Sequence, residues 1–221
     1  MTLLLTRIVP SPSSREARRD LGGNDNGIRL HKRMLQMFPD GVQGPARFTF
    51  GILFRAEETP RGPQILLQSH MQPNPSRLPD GYGSIETRSL DTLLSHLQKG
   101  MVVNYRCVAN PVRKPRATTR QADSLPPIVA LSGNAAIEWW ERQSNASGLE
   151  PLNINAHPLA MVRGRRGSEG AAAEQRIQHA RTQFDGTARI LDAEMLREKL
   201  AKGIGRGKAY GCGLLSIAPA R

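Results

Sequence analysis

Aromatic residues are scarce in this chain of 221, with five Phe, three Tyr and two Trp, or 5 % of the total. That scarcity argues against the stacking platforms on which many single-strand RNA binders lay successive bases. Cysteine is scarcer still: Cys107 and Cys212 are the only two. Two thiols cannot make the disulfide framework of a small secreted domain. Both sit in apolar, strand-like surroundings, so a buried, reduced pair is expected. No apolar run approaches the roughly 20 residues that a membrane span needs. The opening MTLLLTRIVP is too short for a signal peptide and is followed by charge. No membrane association is expected, and a cytoplasmic location is.

Clustered metal ligands are missing as well. His31, His70, His96, His157 and His179 are the five histidines. None pairs with another His or Cys at ligand spacing, and the carboxylates are scattered, so neither a metal nor a cofactor is expected. The phosphate-loop pattern GxxxxGK[ST] does not occur, which excludes that kind of nucleoside triphosphate site.

Acidic residues are few against basic ones, 19 Asp and Glu facing 31 Lys and Arg, for a net charge of +12 and a pI near 10.8. Such a field attracts polyanions, and a pI above about 9 is a footprint of nucleic-acid binding. Membrane surfaces are the rival polyanion, but no basic amphipathic helix of useful length is present. The charge is uneven. Residues 1–97 hold 12 of the cations and 9 of the acids, so residues 98–221 carry most of the field.

The two halves read alike. Thr2 to Val9 predicts a strand, and Ser11 to Asp20 a polar helical or irregular stretch. Asn24 or Asp25 can cap a helix running to about Phe38, stopped at Pro39 to Gly41. Arg47 to Arg55 and Gln64 to Ser69 read as strands, then Ser84 to Arg88 as another, with no second helix legible between. In the second half Met101 to Val108 predicts a strand and Asn110 to Gln121 a basic loop. Ser132 caps a helix containing Trp139 and Trp140. His157 to Val162 and Gln175 to Phe184 are strands around a basic turn. Asp185-Gly186 is a hairpin signal leading to a strand at Thr187 to Leu191. Asp192 caps a helix to about Lys202, closed by Gly203, and Tyr210 to Ala218 is a last strand. Two β-α-β-β-α-β units in tandem imply an α+β chain of two ferredoxin-like domains, residues 1–97 and 98–221.

Three features carry candidate chemistry. Five glycines fall between Gly203 and Gly213, interleaved with Arg206 and Lys208. Glycine permits positive φ, and successive backbone N–H groups can hold a phosphate. Gly205, Arg206, Gly207 and Lys208 are therefore candidate RNA contacts. The preceding helix points its C-terminal end here, so its dipole does not favour an anion. Arg163, Arg165 and Arg166 form the basic turn of a hairpin, and Arg113 and Lys114 a second basic stretch. Each can neutralise a phosphate. His31 lies in the first helix, within the apolar half of the wheel, while Arg29 and Lys32 lie on the other side. It is either a satisfied core histidine or a histidine facing a cleft, where it could transfer protons near neutral pH.

Taken together these segments resemble the CasE family, the CRISPR repeat-processing endoribonucleases of type I-E systems. Ser14 to Leu21, Leu30-His31, Leu66 to Ser69 and Ala109-Asn110-Pro111 after Tyr105-Arg106 all match, and Gly203 to Pro219 is the most specific match. The resemblance implies two ferredoxin-like domains and metal-independent cleavage of the CRISPR precursor RNA at the base of the repeat stem-loop. It also implies retention of the product RNA as a subunit of the Cascade complex. His31 takes the place of the family's catalytic histidine, with the basic hairpin and the glycine-rich ending against the RNA. One departure stands out: well-known members carry a tyrosine three residues before the histidine, and this chain has Ile28. The second proton-transfer group must then come from elsewhere, or the chain is a hairpin-binding subunit with little catalysis.

Overall fold

The computed structural model describes residues 2–23, 25–124, 126–166 and 175–220. The first unit runs β1 (Leu4–Pro10), α1 (Arg15–Leu21), α2 (Asn26–Gln36), α3 (Ala46–Thr49), β2 (Leu53–Thr59), β3 (Gly62–Ser69), β4 (Gly83–Ser89) and α4 (Asp91–Ser95). Its sheet has the order β2-β3-β1-β4 with antiparallel neighbours throughout. The second unit runs β5 (Val102–Ala109), β6 (Val112–Arg113), α5 (Ala117–Ala122), β7 (Val129–Ala130), α6 (Gly133–Asn145), β8 (Leu149–Pro151), β9 (Asn155–Arg166), β10 (Gln175–Ile190), α7 (Ala193–Lys202) and β11 (Leu215–Pro219). Its sheet, β11-β5-β10-β8, repeats the order of the first, with β9 added as a hairpin on β10. This is the tandem ferredoxin-like architecture.

Each sheet buries one face. In the first unit Ile8, Leu30, Met34, Phe38, Phe54 and Leu67 join one core. In the second, Trp140, Phe184, Cys107, Leu196 and Leu215 join another. α2 contributes through Leu30 and Met34, an i, i+4 pair facing the sheet. Polar side chains tie the units together. Arg55 on β2, 2 % exposed, donates to the Leu214 carbonyl at 2.8 Å and the Ser216 hydroxyl at 2.9 Å. Gln68 on β3 donates to the Leu200 carbonyl at 2.8 Å.

Several local expectations change, among them Ser132, which precedes α6 without a side-chain capping bond, and Asn110 to Gln121, which holds β6 and most of α5 rather than one loop. Arg47 to Arg55 is not one strand: a helical turn occupies Ala46–Thr49 and β2 starts at Leu53. Between them lies Gly51, with a φ of +62° and the His70 ring where its Cβ would stand. Asp185-Gly186 makes no turn; β10 runs straight through it. Gly186 is needed because Tyr105 Oη and the Asn153 backbone press where its Cβ would stand, and Asp185 pairs with Arg106. The last strand begins at Leu215, not Tyr210, since a 3₁₀ turn at Lys208–Tyr210 and positive φ at Gly211 and Gly213 come first. Asp25 precedes α2 without a side-chain capping bond and pairs with Arg29 instead; Asn24, the other expected cap, lies outside the described residues. Asp192 does cap α7, accepting from the Met195 N–H at 2.9 Å, and Gly203 closes that helix with φ +73°.

Candidate functional site

α2 carries His31 on the margin of its buried stripe. Leu30 and Met34 are buried, and His31 is half-buried, its ring stacked at 6.4 Å on that of Phe54. The two sequence alternatives thus meet: the imidazole packs on a core ring, yet the residue keeps part of its surface exposed. Lys32 is exposed. Arg29 is held in place, donating to the Asp25 carboxylate at 2.7 Å and to the Gly22 carbonyl. It braces the loop that starts the helix.

The glycine-rich ending packs directly on this helix. Gly203, Gly205, Gly207, Gly211 and Gly213 all have positive φ, between 70° and 87°, so every one of the five answers a backbone demand. Gly211 lies against Phe54, the ring that stacks on His31. A Cβ on Gly27 would stand 3.1 Å from the Tyr210 carbonyl oxygen and 3.1 Å from Val162 Cγ1 of the hairpin. Sequence reasoning kept His31 and the glycine loop apart; the fold joins them through Gly27 and Phe54.

The loop is less of an N–H cradle than its composition suggests. The N–H groups of Ile204, Tyr210, Cys212 and Gly213 bond to carbonyls of Gly213, Gly207, Gly207 and Val108. Lys208 Nζ donates to the Lys202 carbonyl at 2.7 Å, satisfying an open carbonyl at the end of α7. Burial, then Arg47 and Lys199, lower the pKa of Lys208. Arg206 stays exposed.

On the hairpin, Arg163 is exposed and pairs in register with Gln178; Arg165 faces Arg176 and Arg166 faces Gln175 along the backbone. The side chains of Arg165 and Arg166, and residues 167–174 between the strands, lie outside the described residues. Arg113 and Lys114 are exposed at the two-stranded ribbon β6–β7. His179, on β10, meets three partners from other segments. Its ring stacks on Tyr210 at 4.7 Å. Its Nδ1 lies 2.7 Å from the Asn110 side-chain amide. Burial first, and Arg206 second, push its pKa below the usual histidine value. Asn110 and Arg206 are themselves bridged through their backbones. None of this was legible locally, because β5, β10 and the C-terminal loop meet only in the folded sheet.

Among the described residues no three His, Cys, Asp or Glu side chains come together in a way that could hold a metal ion. Cys107 and Cys212 are buried free thiols, both pushed up to about 12 by burial. No described helix is long and apolar enough to cross a membrane.

A family model described as CRISPR associated protein matches residues 3–219. The chain is 30 % identical to the CRISPR-associated endoribonuclease Cse3 of Thermus thermophilus, over 97 % of this chain and 99 % of the relative. It is 30 % identical to the CRISPR system Cascade subunit CasE of Escherichia coli, over 86 % and 91 %. In structure it is similar to Thermus thermophilus Cse3 bound to an RNA representing a pre-cleavage complex, with a TM-score of 0.76 and 26 % identity over 99 % of this chain and 100 % of the other. The chain therefore belongs to the CRISPR-associated protein family that includes Cse3 and CasE.

Proposed function

We propose that this chain is an endoribonuclease that cuts CRISPR precursor RNA at the base of the repeat stem-loop and keeps the product as a Cascade subunit. The observation that carries this reading is the full-length likeness to Cse3, combined with a half-buried His31 packed through Phe54 onto a glycine-rich loop. In the reaction the ribose 2′-oxygen attacks the adjacent phosphorus and the bond to the 5′ oxygen breaks. The 2′-OH proton leaves to a base and a proton reaches the departing 5′ oxygen, giving a 2′,3′-cyclic phosphate and a 5′-OH. His31 transfers one of these protons. Positioning for in-line attack supplies much of the remaining rate.

The domains divide as residues 1–97, with His31, and 98–221, with most of the positive charge. Arg163, Arg165 and Arg166 follow the RNA stem, joined by Arg113 and Lys114. Lys32, Arg206 and Lys208, with the backbone of Gly205 and Gly207, lie nearer the cut. Arg29 acts through the loop it braces. The partners are the repeat RNA and other Cascade subunits, in the cytoplasm. Ile28 is half-buried and offers no proton, which favours a second reading, a hairpin-binding subunit without catalysis. Incubation with repeat RNA in EDTA, with wild type and His31→Ala, decides. Cleavage by wild type and its loss in the variant support the enzyme. Binding without cleavage by wild type supports the second reading, and equal cleavage by both removes His31 from the chemistry.

A further inference from the structure

The contacts around His179 link three segments of the site. Val162, its direct cross-strand partner, packs against Gly27 of α2. Directly paired residues of an antiparallel ribbon project to the same side, so the His179 ring stands on the α2 side of the hairpin. There it stacks on Tyr210, whose carbonyl also abuts Gly27. Behind it lies Asn110, 4 % exposed, with its Nδ2 on the imidazole and its backbone bridged to Arg206. Asn110 Oδ1 has no partner among the described residues. A buried amide with half its hydrogen-bonding capacity open is costly, so its bond to His179 weighs heavily on where the amide settles.

We propose that His179 is a positioning residue: through Asn110 and Tyr210 it sets the glycine-rich loop, and Arg206 in particular, against the catalytic helix for RNA binding. This rests on the reading of the chain as a repeat-RNA nuclease. The imidazole contributes two separable things, a flat ring for Tyr210 and an acceptor for the Asn110 amide. His179→Phe keeps the ring alone. His179→Asn keeps an acceptor near the place of Nδ1 but removes the ring.

The test pairs a double-mutant cycle with a spectrum. Affinity for a repeat stem-loop RNA is measured for His179→Ala, Arg206→Ala and the double variant. Each single change is expected to weaken binding roughly tenfold, and the double variant no more than about threefold beyond Arg206→Ala, because both act through one arginine. His179→Asn and His179→Phe are each expected to restore part of the loss. Cleavage at saturating protein is expected to change less than affinity. Fully additive losses, or complete rescue by His179→Phe, overturn the link through Asn110. Independently of RNA, the imidazole ¹⁵N signals of His179 are expected to shift on Asn110→Ala. An unchanged spectrum overturns the proposal even where wild type binds no stem-loop, whereas wild type failing to bind while the signals shift counts against the nuclease reading alone.

Discussion

Gly27 and Tyr210, 183 positions apart in sequence, meet so closely that a Cβ on the first would stand 3.1 Å from the carbonyl oxygen of the second. Glycine inside a helix costs about 1 kcal/mol relative to alanine, so its presence early in α2 calls for a reason, and this contact is one. Gly27→Ala is expected to alter thermal stability little, since the gain in helix propensity offsets the tighter contact. Cleavage of a repeat hairpin should nevertheless fall several-fold as the loop shifts against His31. Melting curves and single-turnover rates measured together check this; a loss of stability with an unchanged rate would count against it.

A second expectation concerns the joint between the two units. Arg55 is 2 % exposed and its Nε bonds to Glu57 at 2.6 Å, while its Nη1 donates to the Leu214 and Arg106 carbonyls and its Nη2 to the Ser216 hydroxyl. Arg55→Ala leaves the nearly buried Glu57 with Gln64 and a distant Arg106 for partners. Removing one member of a buried ion pair costs about 3–5 kcal/mol. Urea unfolding should show a loss in that range, and Arg55→Met, which refills the volume, should not recover it while Glu57 remains.

Some of this was open to sequence reasoning and some was not, for physical reasons. Much of the succession of elements along both units followed from hydrophobic periodicity and from the cap at Asp192, which are local signals, whereas the order of the strands within each sheet did not. Asp185-Gly186 misled because the usual motive for glycine in that pair is a positive φ, whereas here it is a close approach by Asn153 and Tyr105 from elsewhere in the fold. His31 stood out by its place on the helical wheel. Phe54, which stacks on it, and Gly211, which lies against Phe54, did not, because they lie on a strand and at the far end of the chain. His179 stayed hidden since a lone histidine on a strand carries no pattern; only the stack with Tyr210 and the bond to Asn110 mark it.

The thiols offer a third check. Burial raises both Cys107 and Cys212 to about 12, and the thiolate is the reactive form. Neither should react with a thiol-selective reagent at pH 8 in the native protein, and both should react after unfolding in guanidinium. Rapid modification of one thiol without denaturant would contradict its burial.

The last expectation is a pH dependence of stability. His70 and His179 both have pKa values lowered by burial, with Arg206 adding to the effect at His179 and a backbone bond at Thr2 opposing it at His70. In the unfolded chain a histidine takes up its proton near pH 6.5. The folded chain resists protonation until lower pH, so below about 6.5 the unfolded state binds more protons. Stability is therefore complete above that pH and declines as the pH falls toward the lowered folded values. His179→Asn removes one of the two contributions and should flatten the decline between about pH 6.5 and 5, even if it lowers stability at pH 7.5. Urea midpoints of wild type and variant across this window provide the measurement. Parallel curves would mean that His179 takes up its proton equally in both states, and that its surroundings exert no net pull on the imidazole.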